Sequence, residues 1–283
     1  MKVRFSWLIF SFLLGCIGAT GQERIETDGK LPDSGKDVVL WWALSSATKI
    51  QPQTAPPEQQ SDAVQIRCAR NEREAVQVVV RTPHGLHNLT FEADPFTATG
   101  QDILSSTNIE ILKAVYVKVT TPTDKSTTAG SWPDPLVPFR GPTDLEPNLN
   151  QTFWIRLYVP PAASPGTYRG LLRMRAEGWR ADVPFALTVY DFALPDQMTC
   201  QTAFGFSPSE VFRYQGLQNE SSKRQVLDMY WADLAAHHIS PYDPAPLDQM
   251  KVTWPDVHPP KTKWDQWSNL RIVHNECHSG NGA

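Results

Sequence analysis

Two residues in one segment have side chains that suit contacts with a sugar. Trp132 and Asp134 lie two positions apart in the sequence WPDPL, within a stretch from 120 to 147 that shows no regular apolar pattern. An indole ring can stack on a sugar, and a carboxylate can accept hydrogen bonds from hydroxyl groups. A long loop of this kind tends to be functional or tightly docked. The alternatives are that Trp132 is a docked structural residue and that Asp134 caps a turn before Pro135.

Phe206 is a third candidate for contact with a substrate, with a place in the protein core as its alternative. Two further acidic residues, Glu72 and Glu74, are close enough in sequence to suggest paired carboxylates. Arg residues at 70 and 73 flank them, however, which predicts a salt-bridged corner of the fold. No catalytic residue is predicted from this corner.

The sequence predicts no metal site and no cofactor. His237 and His238 come at the end of a predicted helix, where a positive charge suits the helix dipole, and metal binding is the alternative. Cys68, Cys200 and Cys277 fit no zinc-binding spacing, because the sequence contains no CxxC motif. Three scattered cysteines favour isolated buried thiols over a disulfide framework, with one pair as the alternative.

The N-terminus predicts export. A positively charged start, an apolar run over 5–14 and small residues after it are typical of a signal peptide, here 1–21, which is too short to be an ordinary membrane span. The sequence LLGC, ending at Cys16, resembles a bacterial lipobox, so Cys16 is a candidate for lipid attachment to a membrane. Ordinary cleavage before Gln22 is the alternative. The mature protein is expected in the periplasm, on the cell surface or outside the cell, with 22–36 as a flexible leader.

Composition excludes one class of partner. The 283 residues carry a net charge of -4 with an isoelectric point near 6.0, so no basic surface for nucleic acid is expected. Ten Trp residues are compatible with glycan binding, but a β-sandwich core accommodates Trp equally well. Glycans are therefore the candidate partners, and the oligomeric state is left open.

Runs of alternating or continuous apolar residues predict some seven or eight strands and no helix before residue 195. The runs are 37–43, two strands within 63–81 joined by a short charged corner, 86–93, 109–119, 153–159, 168–176 and 179–190. This pattern predicts a mainly β fold, an antiparallel β-sandwich over 37–194. Pro165 and Gly166 supply a turn, so the strands on either side are predicted to form a β-hairpin.

The period changes after Pro195. Residues 202–206 form a short apolar run, 219–238 have a helical period with Ser221 or Ser222 as N-cap, and 239–242 are another strand candidate. Strand, helix and strand predict a βαβ unit, which makes 195–245 an incomplete α/β segment. Residues 246–283 are polar and broken by Pro, and are expected to be an irregular tail.

Several segments in order resemble the N-terminal domain of glycoside hydrolase family 123 and its relatives. They are CARNEREAVQ (68–77), GSWPDPLVP (130–138), NQTFW (150–154), PGTYRG (165–170) and YDFALP (190–195). The resemblance covers about residues 38–245. It implies a β-sandwich that leans on a (β/α)8 barrel, so the α/β segment would be the first βαβ unit of that barrel.

The resemblance also implies hydrolysis of β-linked N-acetylgalactosamine by substrate-assisted catalysis. The acetamido oxygen attacks the anomeric carbon, one carboxylate orients the acetamide, and an adjacent carboxylic acid protonates the leaving oxygen. The family's adjacent Asp-Glu pair has no counterpart here, because the sequence contains no Asp-Glu dipeptide. The end, HSGNGA, resembles the "HSG-x-GAL" opening of jelly-roll modules, which suggests a truncated product.

Three functional hypotheses follow. The chain is a glycosidase-like fragment without hydrolytic activity, a non-catalytic surface module that binds carbohydrate or protein through the sandwich, or a structural domain without a ligand. The sandwich is expected to fold alone.

Overall fold

In a computed structural model of the protein, the described residues are 28–34, 37–44, 48–98, 103–122, 125, 128–197, 200, 202, 205–240 and 246–248. The predicted signal peptide, Cys16, and most of the predicted tail lie outside them. The chain divides into two compact units, Met1–Ala193 and Leu194–Ala283, which are described separately below.

The first unit is built from strands and one short 3-10 turn, Ser106–Asn108. The strands are β1 Asp28–Lys30, β2 Val39–Leu44, β3 Val64–Arg70, β4 Glu72–Arg81, β5 Leu86–Ala93, β6 Phe96–Ala98, β7 Ile103–Leu104, β8 Ile109–Val119, β9 Gly130–Pro138, β10 Thr143–Leu145, β11 Gln151–Val159, β12 Gly166–Ala176 and β13 Trp179–Ala193. The mainly β fold is confirmed.

The strands form two sheets. A six-stranded sheet has the order β1-β2-β4-β11-β8-β9, and the other has the order β10-β5-β12-β13-β3 with β6 and β7 attached through β12. All pairs are antiparallel except β13 with β3, which run parallel. The prediction of a purely antiparallel sandwich was therefore wrong at this one pair, because β3 and β13 are distant in sequence and strand direction depends on the path between them.

The two sheets share one hydrophobic core. Alternate residues of β11, at 153, 155, 157 and 159, are fully buried, and so are alternate residues of β13 from 181 to 189. Both sets belong to a single cluster of buried side chains. The period of two along each strand places the remaining side chains on the outer faces.

The predicted β-hairpin at Pro165-Gly166 was wrong. β11 pairs with β4 and β8 in the six-stranded sheet, whereas β12 pairs with β13, β5 and β6 in the other sheet. The connection 160–165 therefore crosses between the sheets. Six residues easily span the distance of roughly 10 Å between packed sheets. The turn residues mark the chain reversal correctly, but they do not specify which strands pair.

The stretch 120–147, predicted as a loop, contains β9 and β10. β9 holds three prolines, which cannot donate a backbone hydrogen bond and which hid the strand from pattern analysis. They are tolerated because β9 is the edge of its sheet. The segment 22–36, predicted as a flexible leader, likewise contains β1, whose three residues are too short to show an alternating pattern.

The corner between β3 and β4 also crosses between the sheets. The two predicted strands and the short connection are confirmed, but β3 and β4 belong to different sheets. Asn71 makes the turn with φ of 60°, a left-handed conformation that Asn tolerates better than most residues. Its backbone N–H donates to the Val159 carbonyl at 2.7 Å, which ties the corner to the end of β11.

In the second unit, the described residues contain two helices, α1 Pro208–Tyr214 and α2 Glu220–Ala236. α2 was predicted and α1 was not. The N-cap of α2 is Asn219, whose side chain accepts a hydrogen bond from the Ser222 N–H at 2.8 Å, so neither predicted serine is the cap. No strand is found at 202, 205–207, 239 or 240, and 203–204 and 241–245 lie outside the described residues, so the βαβ unit is not confirmed.

Within the described part of the chain, neither helix combines the length and the apolar character that a membrane span requires.

Candidate functional site

Trp132 and Asp134 both lie on the edge strand β9. β9 pairs with β8 in a register that shifts between Ala114 and Tyr116, whose partners are Leu136 and Pro133. Two residues of β9, Asp134 and Pro135, therefore face a single residue of β8, which is a β-bulge. Bulges at sheet edges redirect side chains and often accompany functional sites.

Trp132 is partly buried, and its polar edge is occupied. The indole Nε1 donates a hydrogen bond to the Thr128 carbonyl at 2.8 Å. This bond holds the ring against the chain just before β9, which matches the docked structural alternative. The exposed part of the ring is still open to contact with a sugar, so substrate binding by Trp132 stays a prediction.

The Asp134 carboxylate is exposed, and within the described part of the chain it has no hydrogen bond or ion pair. The turn cap proposed for it is therefore absent, because Asp134 lies in the bulge of a strand. Apolar side chains surround this edge: Val115, Val117, Leu136 and Val137 are 38–41% exposed. The bulge thus presents one free carboxylate next to an apolar surface.

Phe206 belongs to the second unit and is described with it. Its ring lies 5.0 Å from the rings of Tyr230 and Trp231 on α2, and it is partly buried. This is the packing expected of a small core. Contact between Phe206 and a substrate stays a prediction.

The charged corner at 70–74 is not held by ion pairs among its own side chains. Arg70 pairs with Asp191 at 3.3 Å, and Glu72 accepts a hydrogen bond from the backbone N–H of Ala69 at 2.6 Å. Glu72 therefore stabilises the turn, and Arg73 has no ion pair within the described part of the chain. The predicted salt-bridged corner was wrong for two reasons. Arg70 lies on β3, in the other sheet from β4, and Arg73 alternates along β4 with Glu72 and Glu74, so its side chain points to the opposite face from theirs.

A second polar site lies on the outer face of the six-stranded sheet, where sequence analysis had placed no candidate. It is a shallow cavity of about 190 Å³, here called the arginine depression, and its lining residues are Arg73, Thr107, Asn108, Glu110, Arg156 and Tyr158. Sequence alternation in β11 shows that Arg156 and Tyr158 face away from the core. It does not show that β4 and β8 bring Arg73 and Glu110 beside them, because that depends on strand register.

Arg73 is fixed over an aromatic ring. Its guanidinium carbon lies 4.4 Å from the centroid of the Tyr158 ring, directly across the β4–β11 pair. The Tyr158 hydroxyl donates to the Asn71 side-chain oxygen at 2.9 Å, so the ring itself is held by the corner. A guanidinium stacked in this way keeps its N–H groups available at its edge.

Arg156 is already paired. Its Nε donates to Glu110 Oε2 at 2.8 Å, and its Nη2 reaches the same oxygen across the β11–β8 pair. The two charges cancel. Within the described part of the chain, no carboxylate pairs with Arg73, so the arginine depression retains one positive charge.

The described residues offer no metal site. Among them, no group of three or more His, Cys, Asp or Glu side chains could hold an ion. His237 lies at the end of α2, where its Nδ1 is 2.7 Å from the carbonyl of Asp233. Burial raises the pKa of the Cys68 thiol far above its usual value, and the neighbouring Glu72 adds to the shift, which favours the protonated thiol.

Comparison with protein families supports the resemblance noted in the sequence. Residues 46–176 match the family model described as the glycoside hydrolase 123 N-terminal domain. The match covers β3 to β12, and therefore includes both β9 and the arginine depression. No curated protein matches the sequence.

A solved structure shares the fold. It is a family 123 glycoside hydrolase from Clostridium perfringens, studied for glycolipid glycan hydrolysis, with 17% sequence identity and a TM-score of 0.58. The match covers 65% of this chain and 33% of the other, so this chain spans about a third of that protein's length. The CooA pilin subunit of enterotoxigenic Escherichia coli matches at 12% identity over 56% of this chain and 100% of its own. Its TM-score of 0.26 is too low to indicate a shared fold.

Proposed function

We propose that this glycoside hydrolase 123-like protein is exported and does not itself hydrolyse β-linked N-acetylgalactosamine. In the alternative, its β-sandwich is a non-catalytic module that binds a glycan. The observation that carries the proposal is the family match over the sandwich combined with the absence of an Asp-Glu dipeptide from the sequence. The match supports the relationship, and the missing pair removes the groups that the family's chemistry requires.

Two described carboxyl groups, Asp144 and Asp248, are unsuited to replace the general acid of that pair. A general acid that works near neutral pH needs a pKa raised above its usual value. The backbone N–H of Asn88 lowers the pKa of Asp144, and Arg224 lowers the pKa of Asp248. A lowered pKa is the opposite of what a group needs in order to protonate a glycosidic oxygen.

The test is an assay of the full chain with 4-nitrophenyl β-N-acetylgalactosaminide. We expect no release of nitrophenol above the rate in buffer. Turnover that copurifies with the protein would contradict the proposal. In that case Asp134→Asn would show whether the free carboxylate on β9 is responsible. Glu92→Gln is the control, because Glu92 is an exposed carboxylate on β5 of the other sheet without an ion pair among the described residues.

Export has a separate test. We expect mass spectrometry of the protein expressed in a bacterium to find a mature N-terminus at Cys16 carrying lipid, or at Gln22 without lipid. Cys16→Ser would abolish membrane recovery in the first case and change nothing in the second. A protein that retains residues 1–21 inside the cell would refute export.

The arginine depression favours the second candidate function, glycan binding without hydrolysis. The arginine depression is polar, preformed and positively charged, and it lies within the family-matched region. Arg73 has no carboxylate partner in the described part of the chain, so its N–H groups are available to a ligand.

A further inference from the structure

We propose that the arginine depression binds the acidic group of a charged sugar, a carboxylate or a sulfate carried by one residue of a glycan. The choice of a sugar rests on the proposed function. The preference for an anion comes from the side chains alone.

The charges of the lining residues favour an anion. Arg156 and Glu110 neutralise one another through two hydrogen bonds to the same carboxylate oxygen. Arg73 has no carboxylate partner in the part of the chain that the structure describes, and it is exposed on a protein whose net charge is -4. A planar guanidinium edge suits the two oxygens of a carboxylate or sulfate, as it suits carboxylate and phosphate in known pairs.

The guanidinium is held in place before any ligand arrives. The Tyr158 ring supports one face of Arg73 at 4.4 Å, and the Tyr158 hydroxyl donates to Asn71 at 2.9 Å. Asn71 in turn is bound to the Val159 carbonyl at 2.7 Å. A binding group that is already ordered loses less conformational entropy on binding, which improves affinity.

The other lining groups suit hydroxyls and amides. The Asn108 side chain makes no hydrogen bond within the described part of the chain, so its donors and acceptor are available. The Thr107 hydroxyl, 2.9 Å from Ser105 Oγ, retains further capacity to donate or accept. The lining includes no aliphatic side chain, which disfavours an apolar ligand.

The size limits the ligand to one group. At about 190 Å³ the depression is smaller than the roughly 300–1,000 Å³ of most small-molecule pockets. It therefore accommodates one charged group or sugar residue while the rest of the ligand extends over the sheet. A nucleic acid is disfavoured, because one unpaired arginine cannot provide the many phosphate contacts on which such binding depends.

The experiment is isothermal titration of the full chain with three probes: N-acetylgalactosamine 6-sulfate, neutral N-acetylgalactosamine and inorganic sulfate. We expect the sulfated sugar to bind more tightly than either of the other two, and more weakly as salt is raised. Arg73→Gln should weaken that binding by about tenfold or more, the usual effect of removing a charge-assisted hydrogen bond.

The matched control is Arg169→Gln, which removes the same charge from an exposed position on β12 in the other sheet. It should leave binding unchanged. Tyr158→Phe keeps the ring but removes the bond to Asn71, and should give an intermediate loss. Circular dichroism during heating would verify that every variant is folded.

Equal binding of the sulfated sugar by the wild type and the Arg73→Gln variant would overturn the proposal. Equal affinity for inorganic sulfate and the sulfated sugar would overturn the assignment to a sugar. Failure of the proposed function has a different signature: nitrophenol release by the full chain would contradict the claim of no hydrolysis and leave the Arg73 result as it stands.

Discussion

Gly170 offers a stringent test of the core packing, because an aromatic ring occupies the space where its side chain would be. A Cβ built on Gly170 would lie 1.8 Å from Phe96 Cδ1, and the shortest ordinary contact is about 3.4 Å, so the ring would have to move by about 1.6 Å. Phe96 is 1% exposed and lies 5.6 Å from the Phe185 ring, so it has little room to move. Overpacking of this kind costs about 1–3 kcal/mol. We expect Gly170→Ala to fall at the upper end, near 3 kcal/mol.

Urea unfolding followed by fluorescence and circular dichroism would measure the loss. A double variant, Gly170→Ala with Phe96→Leu, should lose less stability than the sum of the two single variants, by about 0.5–3 kcal/mol, because the smaller side chain makes room for the methyl group. Gly205→Ala is the control, since nothing lies within 4 Å of its Cβ position. A Gly170→Ala variant as stable as the wild type, or strictly additive effects, would refute the reasoning.

Three other predictions concern the first unit. Asn150→Ala should lower the free energy of unfolding by about 2 kcal/mol, because the buried Asn150 amide donates to the Gln51 and Thr54 carbonyls at 3.0 and 2.8 Å. The Gln51 carbonyl would keep its bond from the Thr54 N–H, but the Thr54 carbonyl would lose its side-chain donor. Unchanged urea denaturation would contradict this. The lowered pKa of Asp144, caused chiefly by the Asn88 N–H, should contribute stability above its ordinary pKa of 3.8 that is lost as the pH falls below that value. Asp144→Asn should therefore flatten the stability profile between about pH 5 and pH 2, and a profile identical to that of the wild type would exclude this contribution. A fragment of residues 28–193 should unfold cooperatively alone, because every residue of the main core cluster lies within it; a fragment without a cooperative transition in calorimetry would show otherwise.

Sequence patterns predicted the position and buried face of individual strands. They did not predict which strands pair with one another. Alternation in 153–159 identified β11 and its buried face, and the helical period identified α2. The pairing of β11 and β12 was wrong because a turn signal at Pro165-Gly166 is the same whether the next strand stays in the sheet or crosses to the other one. β9 was missed because proline suppresses the strand signal without preventing an edge strand.

The arginine depression could not be predicted for the same reason. Its charged residues come from β4, β8 and β11, and they meet only when β4 and β8 flank β11 in a particular register. The sequence shows that Arg156 and Tyr158 share an outer face. It contains no local signal that Arg73 lies across from Tyr158, which is a long-range consequence of the sheet order.

Three of the five segments that carry the family resemblance, 68–77, 150–154 and 165–170, contain residues with structural explanations in this fold. Gly170 makes room for Phe96, and Asn150 anchors the loop at 51–54. The Tyr168 hydroxyl donates to the Ser164 carbonyl at 2.9 Å and fixes the crossing between the sheets. Glu72 accepts the Ala69 N–H and stabilises the β3–β4 corner. Motif residues that are explained by packing and hydrogen bonds to the backbone identify the sandwich and carry no information about hydrolysis. Functional evidence must therefore come from side chains whose polar groups have no partner in the described part of the fold, and among the lining residues of the arginine depression Arg73 is the clearest of these.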